Sequence, residues 1–203
     1  MDIASIKKYL ELNFGFSKEK ILKIKEYVDL LIISNKKYNL IGKKTENDVW
    51  KRHVLDSAQI IKFIDFKKNF ILSDFGSGAG LPGIILSIAN TNPNFHVKLY
   101  EKSPVKRAFL SEIQKISKFD IKSNVYDYKT INSDYIVCRA FKKLDLIFDI
   151  SREKVKNPHK LIILKGKNAL NDLKKLPKDV NYSYKTVESI TDKNSKIILA
   201  TKK

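Results

Sequence analysis

Apolar positions in the first third of the chain recur at helical spacing. Ile21, Ile24, Val28, Leu31 and Ile32 fall on one stripe, the rhythm of an amphipathic helix. The pattern predicts helices over residues 3–13 and 18–36, with Ser17 as N-cap ahead of Lys18-Glu19-Lys20. A turn follows around Lys36–Gly42, and a further helical stretch opens at Thr45 and runs to about Phe63. From residue 70 the rhythm changes. Short apolar or β-branched runs near 70–75, 96–100, 121–125, 135–138, 160–165, 180–187 and 195–201 read as strands. Between them, helical patterns fall near 81–90, 104–117, 143–154 and 168–175. Such alternation predicts βαβ units and a mostly parallel sheet. The last two strands are separated only by Ser189–Asn194. With no crossover helix they can pair only as an antiparallel hairpin. The expected fold is α/β, with seven strands and the last one reversed. Residues 1–69 form a helical extension and 70–203 the sheet domain, packed as one globular unit. Strand order is not readable at this level.

Composition narrows the class. A chain of 203 residues supports one well-buried domain and a small appendage. A hydrophobic content of 43% argues against wholesale disorder. No apolar run reaches the roughly 18 residues that span a bilayer. Met1-Asp2-Ile3-Ala4-Ser5 lacks the layout of a secretory signal. A lone Cys138 excludes an intramolecular disulfide framework or a cysteine-cluster metal site. The expected setting is cytoplasmic, with no membrane or metal partner and a monomeric state.

The net charge of +18 is uneven. Residues 1–69 carry 15 Lys+Arg against 9 Asp+Glu, residues 70–139 carry 9 against 6, and residues 140–203 carry 16 against 7. Cationic ends flanking a nearly balanced middle suit a polyanionic partner. Lysine bias alone also produces such a charge, with 36 lysines to four arginines. Arg52, Arg107, Arg139 and Arg152 therefore stand out as places where a planar, bidentate donor is wanted.

The chemistry concentrates in Asp74-Phe75-Gly76-Ser77-Gly78-Ala79-Gly80-Leu81-Pro82-Gly83. An apolar strand meets an acidic residue, then glycines, then a helix. Glycines allow positive φ and close approach of backbone to a ligand, and Pro82 suits a first helical turn. In open α/β sheets, ligands bind beyond the carboxyl ends of the strands. Gly78, Gly80 and Gly83 also satisfy the dinucleotide register, where a helix N-terminus cradles pyrophosphate. Asp74 would repel a pyrophosphate but suits a cationic ligand such as S-adenosylmethionine. Glu101, ending the next strand, can accept from ribose hydroxyls of either ligand. S-adenosylmethionine is the favoured cofactor, and a nicotinamide-dependent oxidoreductase is the alternative. A non-catalytic RNA-binding module is a third reading.

This loop resembles that of the bacterial 16S ribosomal RNA guanine-N7 methyltransferase G family, also called glucose-inhibited division protein B. Asn39-Leu40 with Arg52-His53-Val54-Leu55-Asp56-Ser57 resembles its N-terminal motif. Glu101 with Lys106-Arg107-Ala108-Phe109-Leu110, Cys138-Arg139-Ala140-Phe141 and Leu164-Lys165-Gly166 resemble three more, in order. The resemblance implies a Rossmann-like methyltransferase fold and transfer of a methyl group to nitrogen 7 of a guanosine, near position 527 of the small-subunit RNA. It implies that Gly76, Leu81, Val125, Tyr126 and Arg139 line the cofactor site, beside Asp74, Gly78 and Glu101, which the chemistry of the loop and strand end already nominates. Three positions depart from the family pattern: Glu101 for Asp, Tyr126 for Glu and Cys138 for Ser.

Guanine nitrogen 7 has a free lone pair and no proton, so orientation suffices for catalysis. No nucleophile or metal is expected, and Arg139 is the candidate catalytic contact. The target base must leave its stack to reach a buried donor. Arg52 faces RNA phosphate or pairs with Asp48. Lys165 binds phosphate or stays solvated. His53 and Asp56, neighbours at i, i+3, are expected to orient a nearby segment. Arg107 faces RNA or Glu101. Arg152 is expected on the surface, His96 and His159 in surface or turn positions, and Phe75 and Phe109 in the core.

Overall fold

A computed structural model of the chain describes residues 1–177 and 182–202. Seven strands form one sheet: β1 (Ile71–Phe75), β2 (His96–Tyr100), β3 (Asp120–Lys122), β4 (Tyr135–Arg139), β5 (Lys160–Lys165), β6 (Tyr182–Glu188) and β7 (Lys196–Lys202). Their spatial order is β3-β2-β1-β4-β5-β7-β6. The pairs β1/β2, β1/β4, β2/β3 and β4/β5 are parallel. β7 runs antiparallel to both neighbours, β5 and β6. The reversed last strand anticipated from the short Ser189–Asn194 connection is therefore present. Residues 180 and 181, where the sixth strand was expected to begin, lie outside the described residues. The third strand is shorter than its apolar run suggests. It ends at Lys122, and Val125–Asp127 form a 3₁₀ turn.

The strands alternate their faces with the two-residue period of extended chain. Leu72, Val97, Leu99, Val137, Ile162 and Leu164 belong to one apolar cluster. Phe75, Tyr100, Ile136, Cys138, Leu161 and Ile163 belong to the other. On the first face lie α1 (Ile3–Phe14), α2 (Lys18–Tyr38), α5 (Gly83–Ala89) and α6 (Pro104–Ile113). On the second lie α7 (Leu144–Lys154) and α8 (Ala169–Lys174). Core residues of the first 69 positions, from Ile6 to Ile64, share the first cluster with Leu72 and Leu99. The core thus runs unbroken across the expected domain boundary.

Local chemistry explains the helix ends. Asp2 accepts from the Ser5 N–H and Ser17 from the Lys20 N–H, satisfying donors left free at a helix start. Gly15 and Asn39 close α1 and α2 in left-handed conformations. The stretch from Thr45 to Phe63 is helical only in pieces. α3 (Lys43–Glu46) precedes a π-helical turn at Trp50–Leu55, followed by α4 (Asp56–Ala58) and 3₁₀ geometry at Gln59–Phe63. Wide π turns re-aim side chains and recur at functional sites. Among the described residues, no helix is long and apolar enough to cross a membrane.

Candidate active site

The chain leaves β1 for β2 and the edge strand β3, then returns to β4 on the other side. This reversal opens a crevice beyond the carboxyl ends of β1 and β4, where open α/β sheets receive ligands. Two adjoining clefts occupy it. The larger, about 550 Å³, has walls from the glycine loop, the Thr45–Gln59 segment, the ends of β4 and β5, and the β6–β7 turn. The smaller, about 270 Å³, is bounded by Glu101, Val125, Tyr126 and Phe141. Gly76, Gly78, Lys106 and Ala140 line both.

The loop is fastened on every side. The Gly76 and Ser77 N–H groups donate to the Tyr100 carbonyl at 2.9 and 3.1 Å, tying it to β2. Tyr27 of α2 donates its hydroxyl to the Ala79 carbonyl at 2.9 Å. Full burial beside Asp74 pushes that phenol far above its usual range. Glu101 accepts from the Gly78 N–H at 2.9 Å and the Ser103 N–H at 2.8 Å. Its carboxylate thus spans the floor between loop and α6, at the edge of the smaller cleft. Arg107 donates to the carbonyls of Glu101 and Lys102, so of its two expected directions it takes the one toward Glu101.

Asp74 has a different place from the one expected of it. It is fully buried and belongs to neither cleft wall. Its Oδ2 accepts from the Gly83 N–H at 2.8 Å, while Oδ1 has no partner. Burial drives its pKa up to about 7, against the opposing pull of that N–H and of Arg139; Glu101 adds to the rise. Its position corrects the direct cation contact inferred from sequence: Asp74 locks the start of α5. The same bond weakens the dinucleotide alternative, because a carboxylate already covers the helix N-terminus. Gly83 and Gly80 are glycines for packing. A side-chain carbon at Gly83 would overlap Leu99, and one at Gly80 would overlap Ile84.

Gly78 is another matter. At φ 60° its missing side chain would meet nothing closer than the Gly76 carbonyl at 3.9 Å. The space above it is open and joins the two clefts, so the backbone there is bare for a ligand. Val125 is buried and Tyr126 half-exposed beside the smaller cleft. The Lys142 ammonium stands 5.9 Å from the Tyr126 ring centre. Gly76, Leu81, Gly78, Glu101, Val125, Tyr126 and Arg139 therefore all border one continuous groove. Its shape and its mix of carboxylate, apolar and ring surfaces fit a nucleoside joined to an amino acid. S-adenosylmethionine has that form.

Arg139 ends β4, next to Ala140 at a strained φ of 51°. It donates to the Arg52 carbonyl at 3.1 Å and to His53 Nδ1 at 2.9 Å, with Asp56 at 3.5 Å. His53 Nε2 lies 2.8 Å from Thr45 Oγ1. Burial, with Arg139 and then Arg52 nearby, lowers the His53 pKa to about 3. Asp56 also accepts from Gln59 and Thr191 at 2.8 and 2.7 Å. His53 and Asp56 do orient neighbouring segments, as expected. The segments are remote in sequence, β4 and the β6–β7 turn, and only the fold reveals them. Gln59 and Thr191 had no local signal, while Thr45 read only as a helix start and Lys106 only as part of the motif after Glu101.

The other basic candidates separate. Arg52 pairs with Asp192 at 3.6 Å across the cleft mouth; Asp48 meets only its backbone. Lys165 borders the larger cleft and pairs with Asp172 at 3.1 Å. Arg152 pairs with Asp149 on the surface. Phe75 and Phe109 are core residues, and His96 is exposed at the start of β2. His159 corrects its surface assignment: it is buried, bonded to Ser151 at 2.6 Å, Tyr182 at 3.0 Å and the Asn157 carbonyl at 2.8 Å.

Strand order, reversed β7 and a glycine turn at the switch point together define a Rossmann-like methyltransferase fold. Solved structures agree on that fold. Fibrillarin from Aeropyrum pernix with natively bound S-adenosyl-L-methionine superposes with a TM-score of 0.58 at 13% identity, covering 74% of this chain and 75% of its own. A SAM-dependent methyltransferase from Aquifex aeolicus gives 0.57 at 13% identity, covering 78% and 94%. The family model for rRNA small subunit methyltransferase G matches residues 20–199. Ribosomal RNA small subunit methyltransferase G of Pelagibacter ubique is 34% identical over 190 residues, 90% of this chain and 89% of that protein. The Rickettsia bellii protein of the same name is 37% identical over 182 residues, 89% and 92%. The chain belongs to the rRNA small subunit methyltransferase G family.

Proposed function

We propose that the protein binds S-adenosylmethionine along the groove over Gly78 and methylates nitrogen 7 of one guanosine in 16S ribosomal RNA. The observation that carries this reading is the open space over Gly78, joining a small cleft with a carboxylate and a ring to a larger, cation-rimmed one. The smaller cleft takes the nucleoside: Glu101 accepts from ribose hydroxyls, and Val125 and Tyr126 flank the adenine. The larger cleft takes the extruded guanine. Its walls carry Arg52, Lys106, Arg139, Lys165 and Lys196 against Asp56 and Asp192, a surplus that suits a phosphate backbone.

The cofactor supplies a methyl group activated by its sulfonium. The chain's own task is placement. The acceptor nitrogen carries a lone pair and no proton, so no residue need remove one. Both His53 nitrogens are already bonded, to Thr45 and Arg139, which leaves that imidazole no lone pair for the substrate. Arg139 faces the cleft with donors suited to the guanine edge or to the amino-acid carboxylate. The rigid loop and Arg139 together hold donor and acceptor in line. The Asp74–Gly83 hydrogen bond beneath the loop keeps α5 in register.

The test maps N7-methylguanosine in 16S RNA from cells with and without the protein, beside calorimetry with S-adenosylmethionine and NADH. The expected result is one guanosine whose N7 methylation disappears with the protein, and binding of the methyl donor alone. RNA binding with no loss of modification would leave a non-catalytic module instead.

A further inference from the structure

We infer that His53 is the positioning residue for Arg139: a neutral imidazole whose tautomer is set by a one-way hydrogen-bond chain from β4 to the Gly42–Thr45 turn. Every proton in that chain is assigned by its neighbours. A guanidinium only donates, so the 2.9 Å contact makes His53 Nδ1 the acceptor. At the far end, Thr45 Oγ1 donates to the Gly42 carbonyl at 2.8 Å. Its proton is spent, so it must accept from His53 Nε2–H across 2.8 Å. Both ends demand the same Nε2–H tautomer. Burial beside two arginines disfavours the protonated ring, which would turn the Nδ1 acceptor into a donor against Arg139.

The chain matters because of what it holds. Arg139 is gripped through Nη1 by the Arg52 carbonyl, with Asp56 at 3.5 Å, and through Nη2 by His53. Its Nε–H and second Nη2–H have no partner among the described residues, and the side chain borders the larger cleft. The guanidinium is thus held by three partners while two of its donors stay unpaired. Leu40, Ile41 and Thr45 form part of the same cleft wall. A ligand pressing on that wall is linked to Arg139 through one imidazole.

The inference rests on the proposed methyl transfer for its activity readout, but not for its central test. Two substitutions separate the two nitrogens. His53→Gln keeps a donor toward Thr45 and removes the acceptor for Arg139. His53→Asn places its oxygen where Nδ1 stood and keeps that acceptor. The expected outcome is a loss of roughly tenfold or more in kcat/KM for His53→Gln, as for a misplaced contact group, with most activity retained by His53→Asn. The melting temperatures of the two variants should be similar. In a double-mutant cycle, adding His53→Gln to Arg139→Lys should cost little further activity. Equal loss in both His53 variants, or fully additive losses in the cycle, overturns the positioning role. Independently of activity, nitrogen NMR should find His53 as the Nε2–H tautomer, unchanged from pH 8 to pH 5. An Nδ1–H tautomer, or titration near 6.5, overturns the relay. If the wild type transfers no methyl group to RNA, the functional reading fails while the tautomer still decides this one.

Discussion

Gly76 and Gly78 sit two residues apart with similar backbone angles, φ 71° and 60°, yet for different reasons. A side-chain carbon on Gly76 would overlap the Phe141 ring, which packs against Phe75 where β1 and β4 end. On Gly78 it would enter the open junction of the clefts. Gly78→Ala should therefore fold, at a cost of about 1–2 kcal/mol for the left-handed conformation, while S-adenosylmethionine affinity falls sharply in calorimetry. Gly76→Ala should lower the melting temperature far more. Equal affinity in wild type and Gly78→Ala would remove the cofactor from that groove. Two buried groups nearby oppose each other in pH. Asp74 has a folded pKa raised from 3.8 to about 7, so its stabilising share is present below 3.8 and is lost as pH rises toward 7. His53 has its folded pKa lowered from 6.5 to about 3, so its share is present above 6.5 and is lost as pH falls toward 3. Each contributes a slope of about 1.4 kcal/mol per pH unit in its window. Between about pH 4 and 6.5 the two nearly cancel. Asp74→Asn should unmask the histidine, giving urea-unfolding stability that climbs with pH over that range. An unchanged profile would show that Asp74 is not protonated in the fold.

At the scale of elements, the β1–loop–α5 unit was the most legible, because strand, acidic stop, glycines and proline are consecutive. The helical stripe of α2 and the terminal hairpin were legible for the same reason: each is a local period or a short connection. What escaped was non-local. A single helix over 45–63 fits the sequence, but that stretch must turn His53 toward β4 and Asp56 toward the β6–β7 turn. The π-helical and 3₁₀ pieces accomplish that turn. Glu101 and Arg139 were legible as site residues because each ends a strand. Thr45, Gln59 and Thr191 were not, since 130 or more residues separate Gln59 from the Ser189–Ile190 partners it bonds. His159 failed for the same reason: an isolated histidine beside a proline reads as a turn. In the fold it joins Ser151 of α7 to Tyr182 of β6. Burial holds its pKa below the usual histidine range. Tyr182→Phe removes a hydroxyl bonded to both, and should cost about 1–2 kcal/mol in thermal or urea unfolding. Cofactor affinity should stay unchanged, because the cluster lies outside both clefts. A shifted affinity would mean that this seam carries strain to the site.

For the molecule as a whole, the charge of +18 acquires a direction from the fold. Cations contributed by the N-terminal extension, α6, the end of β4, β5 and the β7 start converge on one crevice. That arrangement gives the surplus at the two chain ends a common destination. Several of these groups are already paired, including Lys165 with Asp172 and Lys196 with Glu188. Pairs that solvent still reaches contribute little to stability, about 0–1 kcal/mol, so a phosphate can exchange most readily into the more exposed ones. Arg52 is the clearest instance: half-exposed at the mouth of the larger cleft, with Asp192 at 3.6 Å. Arg52→Gln should leave the melting temperature unchanged and weaken binding of 16S RNA. The plot of log affinity against log salt should flatten by about 0.7–0.9, the share of one phosphate contact. Lys118 lies exposed near the start of β3, at the opposite end of the sheet, and Lys118→Gln should change neither slope nor affinity. Should both substitutions flatten the plot alike, the RNA would be held by diffuse charge over the whole surface, and the crevice would lose its claim to be where the strand enters.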